Sequence, residues 1–279
     1  MNKLSFVASM LMMCLSMTMM AQKNGAKALD KPDPNFQIYL CFGQSNMEGN
    51  AAIEDIDRTG VNPRFMAMYA VDDVKAGWKK GLWHTAVPPQ ARPSTGLTPV
   101  DYFGRKMVDN LPDSIKVGTI TVAVGGASID LFDKRTCKAY LKKQPDWMKN
   151  FASQYHGNPY ARLIELGKIA KKQGVIKGIL LHQGETNNGD ANWPNRVKTV
   201  YNDILKDLNL KAEDVPLLVG ETVQKDQGGN AGSISLSLMI SPRPFLQLMS
   251  FLLKGVRSVV MVCISLQKAI APWVSVMPT

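Results

Sequence analysis

Short apolar runs alternate with amphipathic stretches along most of the chain. Residues 36–42 (Phe-Gln-Ile-Tyr-Leu-Cys-Phe), 115–124, 175–182 and 215–219 are continuous enough in Val, Ile, Leu and aromatic residues to predict buried strands, the first ending at Gly43. Between them, residues 99–111, 160–173 and 196–208 carry helical spacing; in the last, Val197, Val200, Tyr201, Ile204, Leu205 and Leu208 share one face. Strands alternating with helices require crossover connections, which make neighbouring strands parallel. The pattern therefore predicts an α/β fold, a three-layer α/β/α sandwich with a central parallel sheet, in which ligands sit beyond the carboxyl ends of the strands. Residues 48–99 lack the alternation. With Trp78, Trp83, Pro88-Pro89 and Arg92-Pro93-Ser94 they read as a long loop, the kind of segment that carries binding surface.

Both ends depart from this pattern. Met1-Asn2-Lys3, an apolar run over 4–20 and Met19-Met20-Ala21 before polar residues follow the order of a secretory signal, so cleavage near Ala21 and a secreted or periplasmic product are expected. The run is broken by Ser and Thr and barely long enough to cross a bilayer, so no stable membrane span is expected after cleavage. From 231 to 279 the chain contains no Asp or Glu, is dominated by Ser, Leu, Val and Met, and fits no helix or strand pattern. The expected organisation is a signal over 1–21, one domain over 22–230 and an aberrant tail over 231–279.

Composition narrows the function. A chain of 279 residues with 45% hydrophobic content supports one well-buried domain. The net charge of +10 forms no basic stripe and accompanies no aromatic nucleic-acid motif, so no nucleic-acid partner is expected. Of the four cysteines, Cys14 leaves with the signal, and Cys41, Cys137 and Cys263 show neither metal-ligand spacing nor a dense disulfide framework. A Cys41–Cys137 disulfide stays open for an exported protein.

Three predicted strands end in polar or glycine-rich clusters: Gly43-Gln44-Ser45-Asn46-Met47-Glu48-Gly49, Gly125-Gly126-Ala127-Ser128-Ile129-Asp130 and His182-Gln183-Gly184-Glu185-Thr186-Asn187. In a parallel sheet these ends converge on one rim. A serine at a strand-to-helix turn exposes its hydroxyl beside backbone N–H groups, uniting nucleophile and oxyanion donors. Serine is equally a preferred helix N-cap, Gly-Gly is often only a tight turn, and a lone Gln is often a surface residue.

The Gly-Gln-Ser-Asn-Met-x-Gly and His-Gln-Gly-Glu strings, in this order and at strand ends, resemble the SGNH-hydrolase superfamily, in its sialate O-acetylesterase and acetylxylan esterase branch (carbohydrate esterase family six). The resemblance runs from about Phe36 to Asn230. It implies a flavodoxin-like three-layer fold and serine esterase chemistry on an acetylated carbohydrate, with no metal or cofactor. It casts Ser45 as nucleophile, the Ser45 and Gly126 N–H groups with the Gln183 amide as the oxyanion hole, and Gln44, Asn46 and Glu185 as residues that shape the site. His182 is expected to be structural, and His84 and His156 match no motif.

The family takes its general base from a late Asp-x-x-His element, yet no histidine follows His182 here. Back-translation bears on this gap. Read one base out of frame from the third base of the Val260 codon, allowed codons spell Asp-Gly-Val-His-Phe-Thr-Ala-Glu-Gly-Tyr-Arg, which resembles the missing element. The shifted aspartate straddles Val260 and Met261, and the histidine straddles Cys263 and Ile264. A one-base frameshift near Asn230 is therefore expected to have replaced the native C-terminus, with loss of its last strand and helix. The chain as written is expected to be an esterase lacking its base or, as an alternative, an inactive carbohydrate-binding protein.

Overall fold

Phe36–Gly43 (β1) has two faces of different destiny. Ile38, Leu40 and Phe42 enter one hydrophobic cluster, while Tyr39 and Cys41 enter another. This is the two-residue alternation of a strand buried on both sides. The computed structural model describes residues 31–220 together with the backbone of 247–249 and 261–264. The expected signal over 1–21 lies outside the described residues, as does the tail over 231–279 apart from those two segments.

In chain order, β1 is followed by helices Ser45–Glu48 (α1) and Asp55–Arg58 (α2), strands Phe65–Met68 (β2) and Trp83–Thr85 (β3), helix Pro99–Asn110 (α3) and strand Lys116–Ala123 (β4). Then come helices Cys137–Lys142 (α4), Asp146–Ser153 (α5) and Pro159–Ala170 (α6), strand Val175–His182 (β5), helix Trp193–Asp207 (α7) and strands Leu217–Gly220 (β6), Gln247–Met249 (β7) and Met261–Ile264 (β8). The sheet order is β3-β2-β4-β1-β5-β6-β8-β7. The strands from β2 across to β6 pair in parallel, as predicted, while β3 at one edge and β8 and β7 at the other are antiparallel. β4 lies between β2 and β1, whereas the flavodoxin order would set the second parallel strand beside the first.

Each face of the sheet is covered. The cluster with Ile38, Leu40 and Phe42 takes Leu163, Ile164 and Leu166 of α6 and Val197, Val200 and Ile204 of α7; the cluster with Tyr39 and Cys41 takes Val100, Phe103, Met107 and Val108 of α3. These are the three layers that the alternation predicts. Helix starts follow local chemistry. Thr98 and Asp101 form a reciprocal capping box with Pro99 in the first turn of α3, and the Asn158 side chain accepts from Ala161 N–H ahead of Pro159.

Several expectations change. The stretch 48–99 is not all loop, since β2 and β3 extend the sheet within it. Tail segments in which no strand pattern was expected supply β7 and β8, with β8 hydrogen-bonded antiparallel to β6. Backbone pairing requires no side-chain periodicity, so apolar runs of three or four residues suffice. Cys41 and Cys137 are both free and buried, and they belong to clusters on opposite faces of the sheet, which excludes the Cys41–Cys137 bridge.

Candidate active site

The three clusters follow strand ends that stand level. Gly43 is in register with Ala123 of β4 on one side and His182 of β5 on the other. The chain runs from β1 to one side of the sheet and later returns to the other, so this rim is the topological switch point, where α/β sheets open a crevice.

Gly43 makes the turn possible. Its φ of +152° is a glycine conformation, and a Cβ there would stand 2.1 Å from the His182 carbonyl oxygen. That close approach lets Gln44 N–H donate to the same carbonyl at 2.9 Å before α1 begins. The N-cap position is Gln44, so Ser45 is the first helical residue and its hydroxyl does not cap the helix. Ser45 is half-buried, and its Oγ makes no hydrogen bond among the described residues. Its N–H is likewise without an acceptor there, as the first-turn position of a helix dictates. Gly126, at φ +68°, also presents an N–H that no described residue accepts.

Gln44 and Gln183 tie the rim together. Gln44 Oε1 accepts from Gly184 N–H at 3.3 Å, Thr186 N–H at 3.4 Å and Gln183 Nε2 at 3.2 Å. Backbone N–H groups can only donate, which fixes the orientation of this amide. Its Nε2 is thus turned elsewhere and donates to no described residue.

Gln183 is fully buried. Its Nε2 faces Gln44 Oε1, the Ala127 carbonyl at 3.2 Å and Asn187 Oδ1 at 2.7 Å, and its Oε1 accepts from Trp193 Nε1. Through these contacts the amide joins the loops after β1, β4 and β5. Asn187 Oδ1 also accepts from Ile129 N–H at 3.0 Å, and Thr186 Oγ1 donates to the Gly126 carbonyl at 3.0 Å, adding two further ties between the second and third clusters.

Asn46 Nδ2 donates to Glu185 Oε1 at 3.3 Å, and His182 Nδ1 lies 3.8 Å from the same oxygen. Behind α1, the buried Glu48 carboxylate pairs with buried Arg92, whose guanidinium stacks 4.5 Å above the Phe151 ring. Burial pushes the Glu48 carboxyl above its ordinary range, against the opposing pull of Arg92. A Cβ on Gly125 would come 2.8 Å from Glu48 Oε2, so the glycine pair leaves room for this carboxylate. Among the described residues no three His, Cys, Asp or Glu side chains gather in a way that could hold a metal ion.

One rim residue carried no motif. Trp147, in α5, is 48% exposed, and a Cβ on Gly126 would lie 2.9 Å from its Cη2. The other tryptophans of the described residues sit elsewhere. Trp193 is buried against Gln183, Trp83 packs edge-on to Phe36 at the amino end of β1, and Trp78 stacks on Tyr69.

Residues 35–237 match the family described as carbohydrate esterase, sialic acid-specific acetylesterase. The chain belongs to this carbohydrate esterase family. Similar solved structures include a protein from Arabidopsis thaliana, at 19% identity over 66% of this chain and 73% of that one, with a TM-score of 0.48. A carbohydrate acetylesterase from Xanthomonas citri is similar at 19% identity over 64% of this chain but only 40% of that one, with a TM-score of 0.44. NanS is similar at 16% identity over 71% of this chain and 70% of that one, with a TM-score of 0.48. The family match spans all three rim clusters.

Proposed function

We propose that the protein is an exported SGNH-type carbohydrate O-acetyl esterase in which Ser45 is the nucleophile and the acetyl group comes from a glycan of the sialic acid or xylan type. What supports this most is that the Ser45 and Gly126 N–H groups have no acceptor among the described residues, at level strand ends that also carry the half-buried, non-capping Ser45 hydroxyl. Ser45 Oγ attacks the acetyl carbonyl, and the oxyanion collapses with cleavage of the bond to the sugar oxygen. The sugar leaves as its hydroxyl, and water then releases acetate from acetyl-Ser45. The two backbone donors stabilise the oxyanion. Gln183, the third donor by resemblance, also holds the donor loops together through its amide. Gln44, Asn46 and Glu185 shape the rim.

Both proton transfers need a base, and this chain carries no histidine after His182. The Asp-x-x-His element in the neighbouring reading frame fills that role, and a one-base shift near Asn230 removed it. Sequencing of the gene through this region tests the frameshift; an intact frame with no missing or extra base rejects it. With the tail read in the shifted frame, the protein is expected to hydrolyse p-nitrophenyl acetate and Ser45→Ala to abolish that turnover. Retained turnover in Ser45→Ala rejects the nucleophile.

That Ser45 Oγ has no partner among the described residues favours a second reading for the chain as written: a carbohydrate-binding protein that keeps the cleft without turnover. Saccharide binding without acetate release distinguishes it.

A further inference from the structure

Trp147 brings an apolar surface to the rim. Its indole meets Phe151 edge-on with ring centroids 5.8 Å apart, and the Arg92 guanidinium lies 4.5 Å from the centroid of the Phe151 ring. Arg92 in turn pairs with Glu48 of α1, the helix that begins at Ser45. A side chain with this much support has little conformational freedom left to lose on binding. Even so, 48% of Trp147 remains open to solvent, and its Cη2 end overhangs Gly126. No Cβ larger than hydrogen fits beneath it without displacing the ring.

The surroundings of the indole differ in kind. Exposed Thr186 is bound to the Gly126 carbonyl, and half-buried Asn46 and Glu185 are bound to each other, so the third cluster brings polar groups to the same rim. A pyranose has this mixed character, with a C–H face suited to an aromatic ring and hydroxyl edges suited to polar side chains. A flat apolar acyl chain would use the indole but not the polar groups.

We infer that Trp147 is the platform on which the pyranose ring of the substrate stacks, setting its acetyl carbonyl toward the Gly126 N–H and Ser45. This rests on the reading that the substrate is an acetylated saccharide. The other tryptophans of the described residues are committed to packing, so the role falls to Trp147 and not to Trp78, Trp83 or Trp193.

Calorimetric titration of the full chain with 9-O-acetyl-N-acetylneuraminic acid, and separately with an acetylated xylo-oligosaccharide, tests the inference without requiring turnover. Trp147→Leu keeps an apolar side chain but removes the aromatic face, and is expected to weaken binding of the saccharide that the wild type prefers by about tenfold. Trp147→Tyr is expected to restore most of the affinity, which a purely structural role would not predict, and Trp83→Phe is expected to bind as the wild type does. Equal affinity in wild type and Trp147→Leu overturns the platform and leaves the esterase reading standing. So does loss in Leu and Tyr variants alike. Failure of the wild type to bind either saccharide overturns the carbohydrate reading itself and the platform with it.

Discussion

Arg92 and Glu48, forty-four residues apart in sequence, form an ion pair from which water is almost entirely excluded; their side chains are 1% and 8% exposed. Glu48 closes the four-residue helix that Ser45 opens, so the pair pins the candidate nucleophile's turn to the long connection and, through Phe151, to α5. Such a pair contributes little against a well-packed apolar replacement, but breaking it strands a buried charge.

Arg92→Met is accordingly expected to lower the unfolding free energy by about 3–5 kcal/mol. Glu48→Gln added to Arg92→Met should recover part of that loss, because it removes the uncompensated carboxylate. Urea unfolding of Arg92→Met, Glu48→Gln and the double variant checks this. Additive losses in the double variant would show that the two side chains do not act as a pair.

Gln183 offers a second, independent test. Its amide is engaged on both sides, so Gln183→Leu strands Trp193 Nε1 and leaves Asn187 Oδ1 with Ile129 N–H alone of its two donors. At about 1–3 kcal/mol for a stranded buried group, a clear drop in Tm is expected. A Gln183 that only donated to a bound oxyanion would leave the Tm of the free protein unchanged, and that result would remove its bracing role.

Asp101 carries a pH dependence. Its carboxylate caps α3 by accepting Thr98 N–H at 3.0 Å and also accepts Gln90 Nε2 at 2.6 Å. Burial nonetheless pushes it up to about 7 from the ordinary 3.8, those two donors pulling the other way. An acid whose pKa rises on folding takes up a proton as the chain folds. Its contribution to stability is full below the unfolded value and is lost as pH rises through the folded one. Relative to Asp101→Asn, the wild type should therefore lose Tm between pH 5 and pH 8. A gap between the two proteins that is equal at both pH values would remove Asp101 as the source.

The thiols give the simplest check of the layers. Cys41 is fully buried, and burial pushes the Cys137 thiol up to about 11, so both should resist labelling by a disulfide reagent in the native chain and react in denaturant. Peptide mapping reads each site separately. Rapid native labelling of Cys41 would contradict the two-sided burial of β1.

How much of this was legible beforehand depends on the range of the interaction concerned. The pattern predicts β5 over residues 175–182, its observed bounds, and marks the three strand-end clusters, because β-strand alternation and glycine turns are written locally. α7 begins at Trp193, three residues before its predicted start; Trp193 faces Gln183, a tertiary contact that a periodicity scan from Arg196 does not register. β2 and β3 were missed because four and three residues carry too few turns of the pattern to rise above a loop. The Glu48–Arg92 pair and the overhang of Trp147 on Gly126 were invisible for a different reason. Each joins segments far apart in sequence, and no local pattern records which face of α5 meets the rim.

The ties that Gln44 makes to Gly184 and Thr186 span 140 and 142 positions of chain. During synthesis, the serine turn leaves the ribosome long before its braces exist. Until Asn187 has emerged from the exit tunnel and β5 has docked, Ser45 belongs to an unfinished edge and the rim has no defined shape. Any chaperone or export factor that holds the nascent chain extended thereby also keeps the cleft unformed, and a truncation anywhere before that point would leave the serine without a site around it.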